Sequence, residues 1–153
     1  MKKILSLLVL MVVFTSCEDD VKFNTPAVQG LKDNELWKAD DFTATLGVNN
    51  SLTIQATTGF ETVVLKTSAV SAGTYTLGLN STNMASYSVA AESGVPAEYI
   101  TANGVGSGEI IIIPEDTNIA AGYITGTFHF NAEDSDGNVV YFQEGIFYKV
   151  RLH

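Results

Sequence analysis

From Leu36 to the end of the chain, apolar positions recur at every second residue, the period of a half-buried β-strand. Leu36-Trp37-Lys38-Ala39 and Phe42 to Leu46 are the first two short segments of this kind, separated by Asp40-Asp41. Leu52, Ile54 and Ala56 alternate with Thr53, Gln55 and Thr57, and Thr58-Gly59 predicts a turn into Glu61 to Thr67. Tyr75, Leu77 and Leu79 are expected to face one way, and Tyr87 and Val89 alternate with serines. Glu98 to Thr101 reads as a short strand. The four isoleucines ending at Ile113 predict a strand buried on both faces, stopped by Pro114. The strongest signal is a long hairpin. Ile124, Phe128 and Phe130 alternate with polar residues up to the turn Asp134-Ser135-Asp136-Gly137-Asn138. Val139 to Phe142 then returns, and Gly145 is expected at a bulge or bend. Beyond it Ile146, Tyr148, Val150 and Leu152 are expected on one face, with Phe147, Lys149 and Arg151 on the other. No stretch sustains a helical period. The expected fold is all-β, an antiparallel β-sandwich or partly open barrel of about nine or ten strands.

Before Leu36 the pattern differs. Lys2 and Lys3 precede an apolar run from Ile4 to Phe14 broken only by Ser6, which has the length of a secretory leader and is short for a membrane span. It ends in Phe14-Thr15-Ser16-Cys17, and Cys17 is the chain's one cysteine. This junction resembles the lipobox of bacterial lipoproteins, with Phe14 and Thr15 departing from the strict form. The resemblance implies cleavage before Cys17, a thioether to diacylglycerol on its sulfur, and acylation of the freed amine. Two or more acyl chains make a stable anchor where one does not. Glu18, Asp19 and Asp20 follow directly and resemble the surface-export signal of lipoproteins in the Bacteroidota. The expected layout is therefore a signal peptide over residues 1–16, a lipidated acidic tether over 17–34 and a β-sandwich domain over 35–153. The expected location is the outer membrane at the cell surface, with a periplasm-facing position as the alternative.

Charge and cysteine count narrow the function. The chain has 8 Lys and Arg against 17 Asp and Glu, a formal −9, and losing Lys2 and Lys3 with the leader takes this to −11. So acidic a surface repels nucleic acid and anionic lipid head groups, and it argues against either as a partner. With Cys17 acylated no thiol remains for a disulfide, a cysteine metal site or a cysteine nucleophile. Histidine is limited to His129, on the outward side of its strand, and the terminal His153, too few for a histidine-based zinc site or triad. Adjacent acids occur at Asp40-Asp41, Glu115-Asp116 and Glu133-Asp134, but neighbours in a strand or turn point apart. Asp134-Ser135-Asp136-Gly137-Asn138 resembles the start of a calcium loop, without the bidentate acid at its far end, and reads first as a hairpin turn. No cofactor or metal is expected, and no catalytic residue. Trp37 is the one tryptophan. If exposed it would stack on a sugar ring, together with Tyr99, Tyr123 or Phe147, but a lone tryptophan on a short strand reads first as a core residue.

Several segments resemble a family of small Bacteroidota outer-membrane lipoproteins that carry an all-β domain of unknown function. They are Trp37-Lys38-Ala39, Gly73-Thr74-Tyr75-Thr76-Leu77, Ser107-Gly108-Glu109-Ile110-Ile111-Ile112, Gly126-Thr127-Phe128-His129-Phe130 and Glu144-Gly145-Ile146-Phe147. The resemblance implies a fold and a compartment and no activity. The functional expectation is a lipid-anchored, surface-exposed envelope lipoprotein, held in the membrane through its N-terminal lipid. Its β-domain would be non-enzymatic and bind a glycan or an envelope protein. A structural or assembly component of the outer membrane is the alternative, and a hydrolase built on a carboxylate pair is the third reading.

Overall fold

The computed structural model describes residues 27–91 and 96–153. The leader, Cys17 and Glu18 to Asp20 lie outside the described residues. Eleven strands follow in chain order: β1 Val28–Lys32, β2 Glu35–Lys38, β3 Asp41–Leu46, β4 Leu52–Thr58, β5 Glu61–Thr67 and β6 Gly73–Leu77. After them come β7 Met84–Val89, β8 Ala97–Ile100, β9 Ser107–Ile112, β10 Tyr123–Glu133 and β11 Val139–Arg151. Among the described residues there is no α-helix.

The strands form one curled antiparallel sheet, a half-barrel of nine strands in the order β2-β1-β11-β10-β8-β7-β5-β4-β3, with β9 and β6 branching from β10. Two junctions explain the curl. At the tip of the β10–β11 hairpin, β10 passes from β9 to β8 through the single pair Glu133↔Ile100. At its base, the chain after β11 meets β3 through a bridge between Leu152 and Ala44. The β8-to-β3 half therefore stacks along the hairpin, and its strands lie across it over the shared core. Phe142 sits at the centre of that core, stacked on Phe130 at 4.8 Å and 5.5 Å from Tyr87 of the opposite half. The all-β, sandwich-like expectation agrees with this architecture.

The hairpin owes its bend to two bulges in β11. The register steps from Ile124↔Val150 to Gly126↔Phe147, and again from Phe128↔Gly145 to Phe130↔Phe142. The extra residues are Lys149 and Glu144, which take φ of 48° and 50°, left-handed values unusual for a side-chain-bearing residue. The hydroxyl of buried Thr125 accepts the backbone N–H of Lys149 at 2.9 Å, holding one bulge from the partner strand. Between the bulges, glycine and phenylalanine interlock. The Phe128 ring lies over Gly145, where a Cβ would come 2.6 Å from three ring carbons, and the Phe147 ring lies over Gly126.

These bulges correct the expected facing of β11. Each one turns two consecutive residues outward, so Phe147 and Val150 are fully buried while Ile146 and Tyr148 are partly exposed. Two further expectations change. Ile110 and Ile112 are buried but Ile111 and Ile113 are half-exposed, because β9 is covered on one face only. Leu79 lies past the end of β6 and is exposed.

The tether boundary also moves. Val28–Lys32, expected in the tether, pairs with β11 on one side and β2 on the other, and Val28 is fully buried. Asp33 and Asn34 form the two-residue turn between β1 and β2, both at positive φ, as a type I′ hairpin requires. Asp33 then docks the turn on β11, donating its N–H to the Tyr141 carbonyl at 2.8 Å and accepting the Tyr141 N–H at 3.0 Å.

Gly126→Ala and Gly145→Ala are each expected to cost about 1–3 kcal/mol, since the added methyl must displace an aromatic ring or a backbone carbonyl in a packed core. Urea unfolding midpoints measure this. Gly137→Ala, in the hairpin turn with open space around it, separates packing from backbone strain, because it carries only the cost of φ 81°. Equal midpoints for wild type, Gly126→Ala and Gly145→Ala would remove the interlock from this account.

Candidate functional site

The described residues gather polar side chains most closely at the opening between the β1–β2 hairpin and the start of β5. Lys32 ends β1, Trp37 lies on β2, Glu61 begins β5 and Tyr87 lies on β7. Pairing places them together: Lys32 sits opposite Phe142 on β11, while Val63 of β5 pairs with Tyr87, two residues from Glu61. Glu61 accepts three hydrogen bonds. The Trp37 indole N–H reaches Oε2 at 2.7 Å, the Tyr87 hydroxyl reaches Oε1 at 2.7 Å, and the Lys32 ammonium bonds the same Oε1. Lys32 also donates to the Tyr87 oxygen at 2.9 Å and lies 5.0 Å from the centre of its ring.

The side chains of Lys32 and Glu61 are 22% and 25% exposed, so water screens the pair only in part. Burial by itself pushes Glu61 upward, but hydrogen bonds from Lys32, Tyr87 and Trp37 outweigh it and hold the carboxyl below its ordinary range. Burial pushes Lys32 downward, and its bonds to Glu61 and Tyr87 reverse that and raise it. Tyr87 is raised by burial first and by its bond to Glu61 second. All three shifts lock the charges in place at neutral pH. The carboxylate is a structural acceptor with its oxygens occupied, which is the opposite of a poised general base.

An open groove of about 530 Å³ lies over this network, lined by Glu35, Leu36, Lys38, Asp40 and Thr58 beside Lys32, Trp37 and Glu61. Asp40 accepts the Thr58 hydroxyl at 2.9 Å, which braces the rim. Leu36 is 64% exposed on the adjoining strand.

The other residues singled out from the sequence are scattered. Trp37 is only 4% exposed, its ring edge-on to Phe142 at 5.7 Å, so it presents no stacking face and reaches the groove through its indole N–H. Phe147 is buried under Gly126. Tyr99 packs on Tyr87 at 5.9 Å, while Tyr123 lies at the base of the hairpin, so no aromatic platform is assembled and buried Trp37 agrees with its reading as a core residue. His129 is exposed and sits opposite Glu109 of β9. Asp134 spends its carboxylate within its own turn, where Oδ1 accepts the N–H of Asp136 and Asn138 and Oδ2 accepts the Asn138 amide. The Asn138 amide is the largest of the effects that hold its acidity below the ordinary aspartate range. Among the described residues no three His, Cys, Asp or Glu side chains are placed to hold a metal ion.

Sequence reasoning missed Lys32, Glu61 and Tyr87. Asp33-Asn34 was the available signal for β1, since two residues tolerant of positive φ after an alternating Val28-Gln29-Gly30-Leu31-Lys32 spell a hairpin. Nothing in the chain announces that Glu61 will meet Lys32, 29 residues earlier.

Residues 24–151 match a family described as a domain of unknown function, DUF6252. The chain belongs to the DUF6252 family. The match covers every strand, from β1 to the end of β11, so the DUF6252 domain and the folded unit described above coincide. Its start at residue 24 agrees with the inclusion of β1 in the domain. No curated protein and no solved structure matches the chain.

Glu61→Gln keeps the shape of the DUF6252 network and removes its charge, and is expected to cost about 1–3 kcal/mol at neutral pH. The sign follows from the shifts. Glu61 is lowered in the folded state, so its contribution is complete above the ordinary glutamate value and is lost as pH falls through the lowered one. Lys32 is raised, so its contribution is lost as pH rises through its raised value. The melting-temperature gap between wild type and Glu61→Gln should be full at pH 7 and close on acidification. A gap that widens in acid contradicts the assignment.

Proposed function

We propose that this protein is a lipid-anchored lipoprotein of the bacterial outer membrane, exposed at the cell surface, whose DUF6252 domain binds a glycan or protein ligand without transforming it. The observation that carries the reading is the state of the Lys32–Glu61 groove. Its one half-buried acid is saturated by Lys32, Trp37 and Tyr87. Around it stand side chains of mixed character, Glu35, Leu36, Lys38, Asp40 and Thr58. A rigid floor with donors, acceptors and an apolar flank suits recognition, because preorganised groups lose little entropy on binding. It does not suit acid–base chemistry, which needs a group free to exchange its proton.

The anchor rests on Cys17 and the leader before it, and the surface position on Glu18, Asp19 and Asp20. A role in envelope assembly is the second reading. It is favoured by β6, which among the described residues pairs only with β9 and carries no charged residue on its other edge.

Two measurements test the proposal. Cells fed labelled palmitate should label the wild type and not Cys17→Ser. Protease added to intact cells should digest the wild type and spare a Glu18-Asp19-Asp20→Ala variant; equal protection of both removes the surface claim. For the domain, Leu36→Ala with Asp40→Ala should abolish capture on a glycan array or from envelope extract while leaving the melting temperature within about 1 °C, as surface changes do. Undiminished capture by that variant places binding elsewhere.

A further inference from the structure

Lys32 and the point where the N-terminal segment joins the domain lie at the two ends of β1, and β1 runs along β11. Lys32 pairs with Phe142, near the tip. Ala27, where the described chain begins, accepts the N–H of Tyr148 at 2.7 Å, near the base. Nine residues lie between Cys17 and Ala27, a reach of at most roughly 35 Å when extended. The hairpin strands are of the same order, since the 11 residues of β10 span roughly 36 Å. A lipid on Cys17 would therefore keep the base of the hairpin within reach of the membrane, without by itself fixing how the domain is oriented.

The base is chemically unlike the rest of this acidic chain. Lys149 lies 5.1 Å from the centre of the Tyr148 ring and 5.9 Å from that of Tyr123. Arg151 pairs with Tyr123, and both cations are exposed. They are two of the five Lys and Arg among the described residues. Asp116 is the acid whose field reaches Lys149. Exposed apolar side chains occupy turns bonded to the same strand end. Leu46 donates its N–H to the His153 carbonyl, and Val48, two residues on, is 86% exposed. Leu152 donates to Gly122, which donates to exposed Ile119.

We propose that this base, formed by Val48, Ile119, Tyr123, Tyr148, Lys149 and Arg151, is a membrane-docking surface that seats the domain on the lipid headgroups with the hairpin tip pointing away. Tyrosine and lysine suit this position, since each has an apolar body and a polar end that reaches phosphate. Val48 and Ile119 supply shallow apolar contact. The cations supply attraction that falls off within a Debye length, so it acts only because the anchor holds the base close. The inference rests on lipidation at Cys17. It adds an orientation that lipidation alone does not dictate.

The test uses the full-length acylated protein in vesicles of phosphatidylethanolamine with a minority of phosphatidylglycerol, the acyl chains brominated. With Cys17 acylated, an introduced cysteine is the only free thiol. A fluorophore on Val48→Cys should be strongly quenched by the bromolipid and one on Asp136→Cys, in the hairpin turn, should not. Lys149→Glu with Arg151→Glu should lower the docked population by about five-fold per cation while the protein still floats with the vesicles. Arg151→Glu alone, at an exposed strand position, should give the smaller part of that loss. Equal quenching at the two sites in vesicle-bound protein overturns the docking surface and leaves the anchor intact. Wild type that fails to float with vesicles overturns the anchor, and the docking surface with it.

Discussion

The interlock between β10 and β11 is the constraint on which the other strands depend. These two strands are the longest in the chain, and a long straight pair would neither curl nor carry two different neighbours. The bulges at Glu144 and Lys149 shift register without breaking the pairing, and each resets which side chains face the core. Glycine at 126 and 145 leaves room for the rings of Phe147 and Phe128 to lie across the strands. The bend lets β10 meet β9 along its middle and β8 at its tip, while the end of β11 meets β3. Both joins of the half-barrel are thus consequences of one pairing.

The Lys32–Glu61–Tyr87–Trp37 network solves a problem this architecture creates. At the opening beside β2, the two halves of the sheet meet across a gap that water can enter. An apolar seal there would expose hydrophobic surface; isolated charges would lose hydration without compensation. A carboxylate with three donors keeps its charge satisfied while half-buried, and it ties β1, β2, β5 and β7 together at one point. Removing one partner from such a network leaves a half-buried polar group without its bond, which disfavours other arrangements of the four strands.

The distribution of side chains along the hairpin joins the fold to the proposed biology. Acidic groups cluster at the tip, where Glu133, Asp134 and Asp136 line a cleft with Glu98. The base carries the exposed cations, tyrosines and apolar turns, and is where the N-terminal segment joins the sheet. Under the proposed lipid anchor, this asymmetry would give the domain a preferred orientation, base toward the bilayer and tip away.

By itself the sequence determined the secondary structure and the outline of the core. Period-two alternation is a local property, so β4, β5, β7 and the hairpin were legible from residues such as Leu52, Ile54, Val63 and Phe130, and fold class followed from their number and spacing. The Asp134–Asn138 turn was legible for the same reason, since its bonds join near neighbours. Facing along β11 was not, because a bulge adds one residue and inverts the parity of all that follows, and no local preference marks Glu144 or Lys149 for positive φ. The membership of β1 was half-legible through Asp33-Asn34, but Val28 is a core residue only because β11 lies beside it. Trp37 could be named and its burial could not, since burial depends on Phe142, more than a hundred residues later. The site was decided by tertiary structure alone. A lysine, a glutamate and a tyrosine become a locked network only when three separate strands bring them within hydrogen-bonding distance, and partial exclusion of water gives that contact its strength.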